Sequence, residues 1–533
     1  MKNAKFYINY IVLIAILLLM NSCTKSFEKY NTDSNGISEK ELTVDFNNIG
    51  QFFPPIEQAY DFIGDINQNV QMDVGFLGGA GGYGGYFSNT YIGQTLSNYS
   101  FSANTLNNQM LFPWGYNYVM SPIENIARGG ARVSAPDFWA IALILQVGAM
   151  QKVTDMYGPI PYSKFGQGGS TVSYDSQESI YNLFFSQLDT AVNNLKAYIA
   201  NRPGAKPFKK FDEVYGGDYT EWLRYANSLR LRLAMQIVKV DPQEAQTQAE
   251  KAVNPSSGGV LTTNTDNALV SGAINPVEIS LHEWQDNHVN ANIVSYMLGY
   301  NDPRVSKYFE PSTIVPGQYI GLRFGGAYDA QSITLQFTNA TNDINRQSPF
   351  ILMTAAEVYF LRAEGALRGW NMGGTAEDLY NEGIDASFAQ WGVGSDASAY
   401  INNSTSIPAN YVDPSNSHNN INALSTIPIQ WIANGSKEQN LEQIITQKWI
   451  ATYPYGCSEA WATFRRTGYP RLFPVVNNFS GGTVNTTIQI RRVPYPQTEY
   501  ENNSAAVTQA VQMLGGPDDG GTRVWWDINE GNF

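Results

Sequence analysis

The stretch TAAEVYFLRAEGALRG, residues 354–369, carries the signals of a complete short helix. Thr354 and Glu357 have the spacing of a capping box, in which each side chain accepts a hydrogen bond from a backbone amide at the helix N-terminus. Gly369 has the position of a C-terminal stop, because glycine readily adopts the left-handed conformation that ends many helices. The stretch therefore predicts a helix that begins after Thr354 and ends before Gly369.

A partner helix is predicted directly downstream. Thr375 precedes apolar residues at helical spacing, and Gly392 ends the pattern. Two helices joined by so short a connection pack against each other, so residues 354–392 predict a helix hairpin of tetratricopeptide type, although the strict consensus of that repeat is absent.

Similar helical spacing occurs elsewhere in the chain. It follows an approximate capping pair at Asp175 and Glu178, it follows Thr220, which we expect to cap its helix, and it runs from Lys437 to Arg466. Between these helices lie long stretches rich in Gly, Asn, Ser and Pro, the residues of loops and turns. We therefore predict a mainly α fold with a solenoid core of tetratricopeptide-like helix pairs and a large, loop-rich irregular part. The pairs are predicted roughly within residues 120–240 and 350–470, inside a single domain of residues 37–533.

The N-terminus has the layout of an export signal that ends in a cysteine. Lys2 and Lys5 precede ten apolar residues, 11–20, which as a helix would rise only about 15 Å, half of a bilayer's hydrocarbon core. Asn21 and Ser22 separate this run from Cys23, and a small residue before a cysteine is the layout of a bacterial lipobox. We predict a lipoprotein signal peptide at residues 1–22, lipidation of Cys23 and a lipidated tether at residues 23–36. An ordinary signal peptide with an incidental cysteine is the alternative.

Cysteine usage agrees with a lipid anchor. The chain has two cysteines, so lipidation of Cys23 would leave Cys457 without a disulfide partner. We expect Cys457 to be buried and inert. A chain of 533 residues, 43% of them hydrophobic, can bury a core large enough to fold without disulfides.

Charge and motif content argue against several functions. The net charge of −14 repels nucleic acid and anionic lipid headgroups, so membrane attachment would depend on acyl chains. His282, His288 and His418 are the three histidines, and the zinc-protease spacing H-E-x-x-H is absent. No G-x-S-x-G elbow or EF-hand pattern occurs. We predict no catalytic residue, cofactor or metal, and leave a glycosidase carboxylate pair open, because 47 acidic residues offer many pairs.

Two stretches are candidate ligand-binding loops. The first is GFLGGAGGYGGYF, residues 75–87, in which Tyr83, Tyr86 and Phe87 would stack on sugar rings. Its glycines would let the backbone approach a partner closely, and a flexible surface loop or a contact with a partner protein is the alternative.

The second candidate is LHEWQDNH, residues 281–288. Trp284 would offer a stacking platform, with Gln285, Asp286 and Asn287 as partners for sugar hydroxyls. Trp370 and Asn371 come third, with burial of the tryptophan the favoured interpretation. Three other tryptophans stand at helical spacing and are predicted core residues: Trp222, Trp449 and Trp461.

Five segments in order carry a family resemblance. They are TDMYGPIPYS (154–163), WLRYANSLRLRLAMQI (222–237), LMTAAEVYFLRAEGALRGW (352–370), IITQKWIATYPYGCSEAWATFRRTGYP (444–470) and RRVPYPQTEYENN (491–503). Together they resemble the SusD/RagB-like outer-membrane lipoproteins, in particular the SusD-like branch, over nearly the whole mature chain.

The resemblance implies a cell-surface nutrient-binding lipoprotein, lipid-anchored in the outer membrane and facing the cell exterior. It implies a core of four tetratricopeptide-like helix pairs. The implied partner is a SusC-like TonB-dependent barrel, over whose mouth the protein sits as a hinged lid. The implied ligands are mostly oligosaccharides and sometimes peptides. Alternatives are a surface hydrolase on the same scaffold, a peptide-binding protein and a purely structural lid subunit.

The motifs themselves are interpreted as structural, because they place prolines beside aromatic residues and arginines. Four arginines are expected to pair with carboxylates such as Glu459 and Glu499: Arg465, Arg466, Arg491 and Arg492.

Overall fold

A computed structural model describes residues 44–60, 71–93, 96–100, 112–169, 171–272 and 274–533. The signal peptide, Cys23 and the tether predicted for residues 1–36 lie outside these ranges and stay predictions. The chain divides into a first unit, residues 1–48, and a second unit, residues 49–533, which contains the helix pairs and the candidate site.

Four helix pairs form the core, which confirms the predicted mainly α fold with tetratricopeptide-like pairs. The helices are α1 (Pro136–Tyr157) with α2 (Gln177–Asn201), α3 (Tyr219–Gln236) with α4 (Pro242–Val253), α5 (Ala355–Leu367) with α6 (Ala376–Gln390), and α7 (Lys437–Ala451) with α8 (Cys457–Thr467). Successive pairs touch through α2 and α3, α3 and α5, and α5 and α7.

Local capping explains where the helices begin. The Thr354 side chain accepts a hydrogen bond from the amide of Glu357 at 3.2 Å, and Gly369 follows the end of α5 with φ +91°. The helix predicted from residues 354–369 is therefore confirmed, but the Glu357 half of the capping box is wrong, because this carboxylate binds Arg232 instead. Two expected caps are wrong by one or two residues, because Ser176 caps α2 and Asp218 caps α3.

Buried side chains and ion pairs join the pairs. Trp222, Trp449 and Trp461 are fully buried, as predicted. The guanidinium of Arg232 on α3 donates two hydrogen bonds of 2.8 Å to the carboxylate of Glu357 on α5. Such two-point contacts fix geometry as well as charge.

The rest of the described chain is irregular and holds short elements. Three two-stranded antiparallel ladders pair β1 (Phe87–Asn89) with β3 (Asn287–Val289), β2 (Ala268–Val270) with β6 (Phe350–Met353), and β4 (Phe309–Glu310) with β5 (Asn339–Ala340). Short α-helices span Asn47–Gly50, Phe53–Ala59, Ser121–Arg128, Ala131–Ser134, Ala291–Gly299, Val305–Tyr308, Gln331–Thr334, Ala397–Ile401, Gln497–Asn502 and Ser504–Leu514. Within the described ranges, no helix has both the length and the apolar character needed to cross a membrane.

The motif arginines are buried, but the carboxylates named for them are wrong. Arg466 pairs with Glu364, Arg491 with Asp527 and Arg492 with Asp518. Arg465 instead donates to the backbone carbonyls of Asp155 and Arg491 and stacks on the rings of Trp461 and Trp526.

The two expected carboxylates have different partners. Glu459 pairs with Lys448 and lies 3.8 Å from Arg232, while Glu499 accepts a hydrogen bond from the Tyr174 hydroxyl at 2.6 Å. Contacts between distant segments decide these pairs, and spacing along the chain does not reveal them.

Candidate functional site

The β1–β3 ladder brings two distant segments to one place on the surface. Asn89 pairs with Asn287, so the chain that leaves β1 lies beside the chain that enters β3. The amide of Thr90 donates to the carbonyl of Asp286 at 2.8 Å, and the Thr90 hydroxyl donates to the carbonyl of Gln285, also at 2.8 Å. The antiparallel register therefore sets Tyr91 next to Gln285 and Asp286.

The side chains gathered there are aromatic and polar. Tyr91 is 51% exposed and Trp284 is 42% exposed, which is unusual for such large rings. The Tyr91 hydroxyl donates to the carboxylate of Asp286 at 2.8 Å. Gln285 is exposed as well. We call Tyr91, Trp284, Gln285 and Asp286 the Trp284 surface.

The backbone of the Trp284 surface is strained at Gln285. Its φ is +57°, in the left-handed region that residues other than glycine seldom occupy. The turn follows the short helical segment Ile279–Glu283 and separates the exposed Trp284 from the buried Asn287. Such strain persists where the surroundings impose it, and it is concentrated at binding and catalytic sites.

A buried carboxyl supports this turn from below. Asp73 accepts hydrogen bonds from the Ser280 hydroxyl and from the side-chain amide of Asn287, the latter at 2.7 Å. Burial, with the nearby charge of Asp286, raises the pKa of the Asp73 carboxyl to about 7, although the two hydrogen bonds act in the opposite direction. Asn287 is thus a buried support of the surface, and its predicted contact with ligand is wrong.

The raised pKa of Asp73 predicts a pH dependence of stability. Between pH 4 and 7 the folded protein holds this proton more tightly than the unfolded chain does, so the free energy of unfolding falls as the pH rises through that window. Asp73→Asn keeps an oxygen acceptor for both donors and should flatten the fall by up to about 1.4 kcal/mol per pH unit. Urea titrations from pH 4 to 8 would measure this slope. Glu377→Gln, which changes an exposed carboxylate, is the control and should leave the slope unchanged.

The glycine-rich segment lies in the core, and the prediction that it binds ligand through its aromatic rings is wrong. Tyr83 is 3% exposed, and Tyr86 and Phe87 are fully buried. The ring of Tyr83 lies 5.1 Å from that of Trp461, and the ring of Tyr86 stacks on Trp449 at 5.5 Å.

The glycines serve close packing against α8. A Cβ on Gly84 would lie 3.0 Å from the Cβ of Ala460 and from the amide nitrogen of Trp461, so no side chain fits between the two segments. Residues 71–81 wind as a π-helix, and the segment packs directly on α8. The approach of backbone to a partner inferred from the glycines does occur, but the partner is the protein's own helix.

Tyr86→Phe tests the core role of this segment. The Tyr86 hydroxyl donates to the carbonyl of Trp449 and lies 2.9 Å from the Thr452 hydroxyl. Its loss should lower the free energy of unfolding by about 1–2 kcal/mol and leave ligand affinity unchanged. Chemical denaturation and calorimetry on the same preparation would separate the two effects. A loss of affinity with unchanged stability would contradict the core assignment.

The residues predicted as minor candidates lie apart from the Trp284 surface or are buried. Trp370 is half-buried against the core, while Asn371 is exposed and its amide donates to Glu250 at 3.1 Å. Cys457 is buried, as predicted, and its Sγ lies 3.3 Å from the carbonyl oxygen of Pro454. Burial lowers the pKa of His288 to about 4, so it is neutral at pH 7. Within the described ranges, no three His, Cys, Asp or Glu side chains are grouped to hold a metal ion.

Tyr91 is the part of the surface that sequence reasoning missed. It stands four residues after Phe87 in an ordinary polar stretch. Only the pairing of β1 with β3 gives it a partner in Asp286.

Comparison with known proteins agrees with this architecture. A family model described as SusD-like, SusD and RagB outer membrane lipoprotein, matches residues 29–527. A chitin-binding SusD homologue from Flavobacterium johnsoniae has a similar structure, with 42% identity and a TM-score of 0.87, over 91% of this chain and 100% of that one. No curated protein sequence matches the chain significantly.

Two further solved structures are similar. A SusD homologue from Bacteroides uniformis is 38% identical, with a TM-score of 0.81, over 90% of this chain and 99% of that one. A SusD homologue from Bacteroides thetaiotaomicron is 36% identical, with the same TM-score and the same coverage. The family resemblance found in the sequence is thereby confirmed.

Proposed function

The chain belongs to the SusD-like family of outer-membrane lipoproteins, and we propose that it binds an oligosaccharide at the cell surface through the Trp284 surface. The observation that carries the proposal is that an exposed tryptophan lies close in the chain to a carboxylate that an exposed tyrosine binds. Trp284 stands two residues from Asp286, to which the exposed Tyr91 donates.

Ring stacking would provide much of the affinity. The C–H faces of a pyranose are apolar and suit an aromatic plane, while its hydroxyls need hydrogen-bond partners. Trp284 supplies the plane, and the fixed turn at Gln285 means that little order has to be gained on binding.

The polar side chains suit a sugar that carries an acetamido group. A carboxylate offers several acceptor positions, of which Tyr91 uses one on Asp286. The acetamido N–H could donate to Asp286, and the Gln285 amide could donate to the acetamido carbonyl. Chitin is the ligand named for one of the similar structures. We therefore propose β-linked N-acetylglucosamine oligosaccharides as the first ligand class to test.

Delivery to a transporter completes the proposal. Lipidation of Cys23 would anchor the protein on the outer membrane, facing the exterior, and a SusC-like TonB-dependent barrel would receive the bound sugar. Confinement beside the barrel would raise the effective ligand concentration at its mouth. No bond in the sugar is made or broken in this proposal.

Calorimetry on protein that lacks residues 1–22 tests the binding step. Chito-oligosaccharides of two to six units, matched gluco-oligosaccharides and a peptide mixture form the panel. We expect binding of the chito-oligosaccharides, with an affinity that rises with chain length until the surface is filled. Binding of the peptides alone would contradict the proposal and would instead favour a peptide-binding protein.

Two further assays distinguish a sugar receptor from a hydrolase and from a structural lid. A reducing-sugar assay after prolonged incubation would detect a hydrolase, and we expect no release. Co-purification with a barrel protein, combined with no binding to any member of the panel, would favour the structural lid.

A further inference from the structure

A cleft that contains no residue of the Trp284 surface is lined by cations. Its volume is about 590 Å³, within the range of about 300–1,000 Å³ that is usual for small-molecule sites. It lies between the end of α8, residues 471–474, residues 487–491 and the C-terminal residues 523–532. We call it the basic cleft, after its six cationic side chains: Lys239, Arg465, Arg466, Arg471, Arg491 and Arg523.

Carboxylates neutralise only part of this charge. Asp527 is shared by Arg491 and Arg523. Glu364 is shared by Arg466 and Arg368.

Three cations of the cleft have no carboxylate within 4.0 Å among the described residues: Lys239, Arg465 and Arg471. Glu530 is the one acidic residue among the described residues that line the cleft, and it is exposed. In a chain of net charge −14, such a local excess of positive charge stands out.

The excess of positive charge affects the ammonium group of Lys239. Its ammonium donates to the carbonyls of Arg466 and Ile528, at 3.3 Å and 3.1 Å, which leaves one of its three N–H groups over. Burial lowers its pKa, as do the charges of Arg466, Arg523 and Arg491, against the opposite effect of Asp527. An anion in the cleft would relieve this repulsion.

Two guanidiniums add to the positive charge of the cleft. Arg466 is 2% exposed and its Nη1 and Nη2 hold Glu364, so it contributes charge below the cleft surface and no donor to a ligand. Arg471 is exposed and stacks on the ring of Tyr469 at 4.9 Å.

Asp155 and Glu438 lie near the cleft but outside its lining. Asp155 lies on the α1 side of Arg465, and burial raises the pKa of its carboxyl to about 7. Glu438 is engaged by the Tyr469 hydroxyl at 3.0 Å and by the Asn532 side chain at 3.0 Å.

The rest of the lining is apolar or neutral. Leu424 and Ile488 are exposed at the cleft, and Gln489, Asn529 and Asn532 bring side-chain amides. This mixture suits a ring with hydroxyls as well as a charged group.

We propose that the basic cleft binds an oxyanion, either borne on an acidic sugar such as a uronic acid or free as phosphate. The cleft shares no lining residue with the Trp284 surface, so each site can be tested by its own variants. Arg471 and Lys239 supply the donors, Arg466 adds positive charge below the surface, and the apolar lining receives the sugar ring where one is present.

Calorimetry on protein lacking residues 1–22 tests the proposal, with glucuronate, inorganic phosphate and neutral glucose as probes at low ionic strength. We expect glucuronate or phosphate to bind and glucose not to bind. Affinity should fall as sodium chloride is added, since salt screens such charges. Tighter binding of glucuronate assigns the site to acidic sugars, and tighter binding of phosphate assigns it to the free oxyanion.

Lys239→Met and Arg471→Gln should each weaken the anion at least 10-fold. Arg128→Gln removes the same charge from an exposed arginine on the helix Ser121–Arg128 and should leave the affinity unchanged. Thermal melting checks that each variant is folded.

Either of two results would overturn the proposal: no anion binds the wild-type protein, or the two cleft variants bind as tightly as the control. A parallel titration with chito-oligosaccharide distinguishes failure of the anion site from failure of the proposed function. The cleft variants should retain their affinity for chito-oligosaccharide whatever the anion result.

Discussion

Replacing Glu364 by glutamine should lower the free energy of unfolding by about 3–5 kcal/mol, because it leaves two buried guanidiniums without a counter-charge. The carboxylate is fully buried on α5. Arg466 donates to both of its oxygens, at 2.6 Å and 2.7 Å, and Arg368 donates at 2.8 Å. These contacts join α5 to α8, two helices of different pairs.

The same carboxylate predicts a loss of stability in acid. Although burial acts to raise it, the two guanidiniums hold the pKa of Glu364 down to about 2, below its ordinary 4.5. A lowered pKa contributes stability above the unfolded value, and that contribution disappears as the pH falls from about 4.5 to about 2. The difference between the wild-type protein and Glu364→Gln should therefore shrink in that range.

Urea denaturation at pH 7 and pH 3 measures both effects. Glu377→Gln removes an exposed carboxylate from the neighbouring helix α6 and should change the free energy of unfolding by less than about 0.5 kcal/mol. A Glu364→Gln protein as stable as wild type at pH 7 would show that the ion pairs between α5 and α8 do not hold the pairs together.

Trp284→Ala should weaken oligosaccharide binding at least about 30-fold, which corresponds to about 2 kcal/mol, the usual loss when a tryptophan that dominates a binding surface is truncated. The side chain is 42% exposed, so its removal opens no cavity in the core. The free energy of unfolding should change little, and this separates loss of a contact from loss of the fold.

Phe533→Ala is the matched control for Trp284. Its ring is also exposed but lies against Arg368 and Lys437. Calorimetry with the tightest chito-oligosaccharide should show unchanged affinity for this variant. Equal affinities in the wild-type protein and Trp284→Ala would show that the tryptophan does not contribute to oligosaccharide binding.

The sequence predicts the helix pairs well because their signals are local. Thr354 and Gly369 lie within one helix length, and their capping roles depend on residues close to them in the sequence. The caps of α2 and α3 shifted by one or two residues because several Ser, Asp and Thr residues near each start can all serve.

In the candidate site, too, two residues with a local sequence signal, Trp284 and Gln285, were predicted correctly as exposed, and residues that depend on distant contacts were not. Trp284, Gln285 and Asp286 were found from a local cluster of polar and aromatic residues, and the structure exposes the tryptophan and the glutamine. Tyr83 was misplaced, because glycine-rich composition fits a loop and a tight helix contact equally well. Which one forms depends on Ala460 and Trp461, more than 370 residues away.

The remaining side-chain partners could not be predicted from the sequence, because they join residues far apart in the chain. Tyr91 is placed in the candidate site by its hydrogen bond to Asp286, 195 residues away, and the register of β1 and β3 brings the two residues together. The arginine partners fail for the same reason, since Arg466 finds its carboxylate 102 residues upstream.

The β1–β3 ladder has a consequence for how the proposed ligand preference could change during evolution. It ends at Asn89 and Asn287, and the two chain segments that carry the Trp284 surface begin just beyond those residues. Lengthening or replacing one of these segments leaves every ladder hydrogen bond in register, so under the proposed function a new sugar preference would need the exchange of only a few exposed residues. The frame that holds these segments stays as it was.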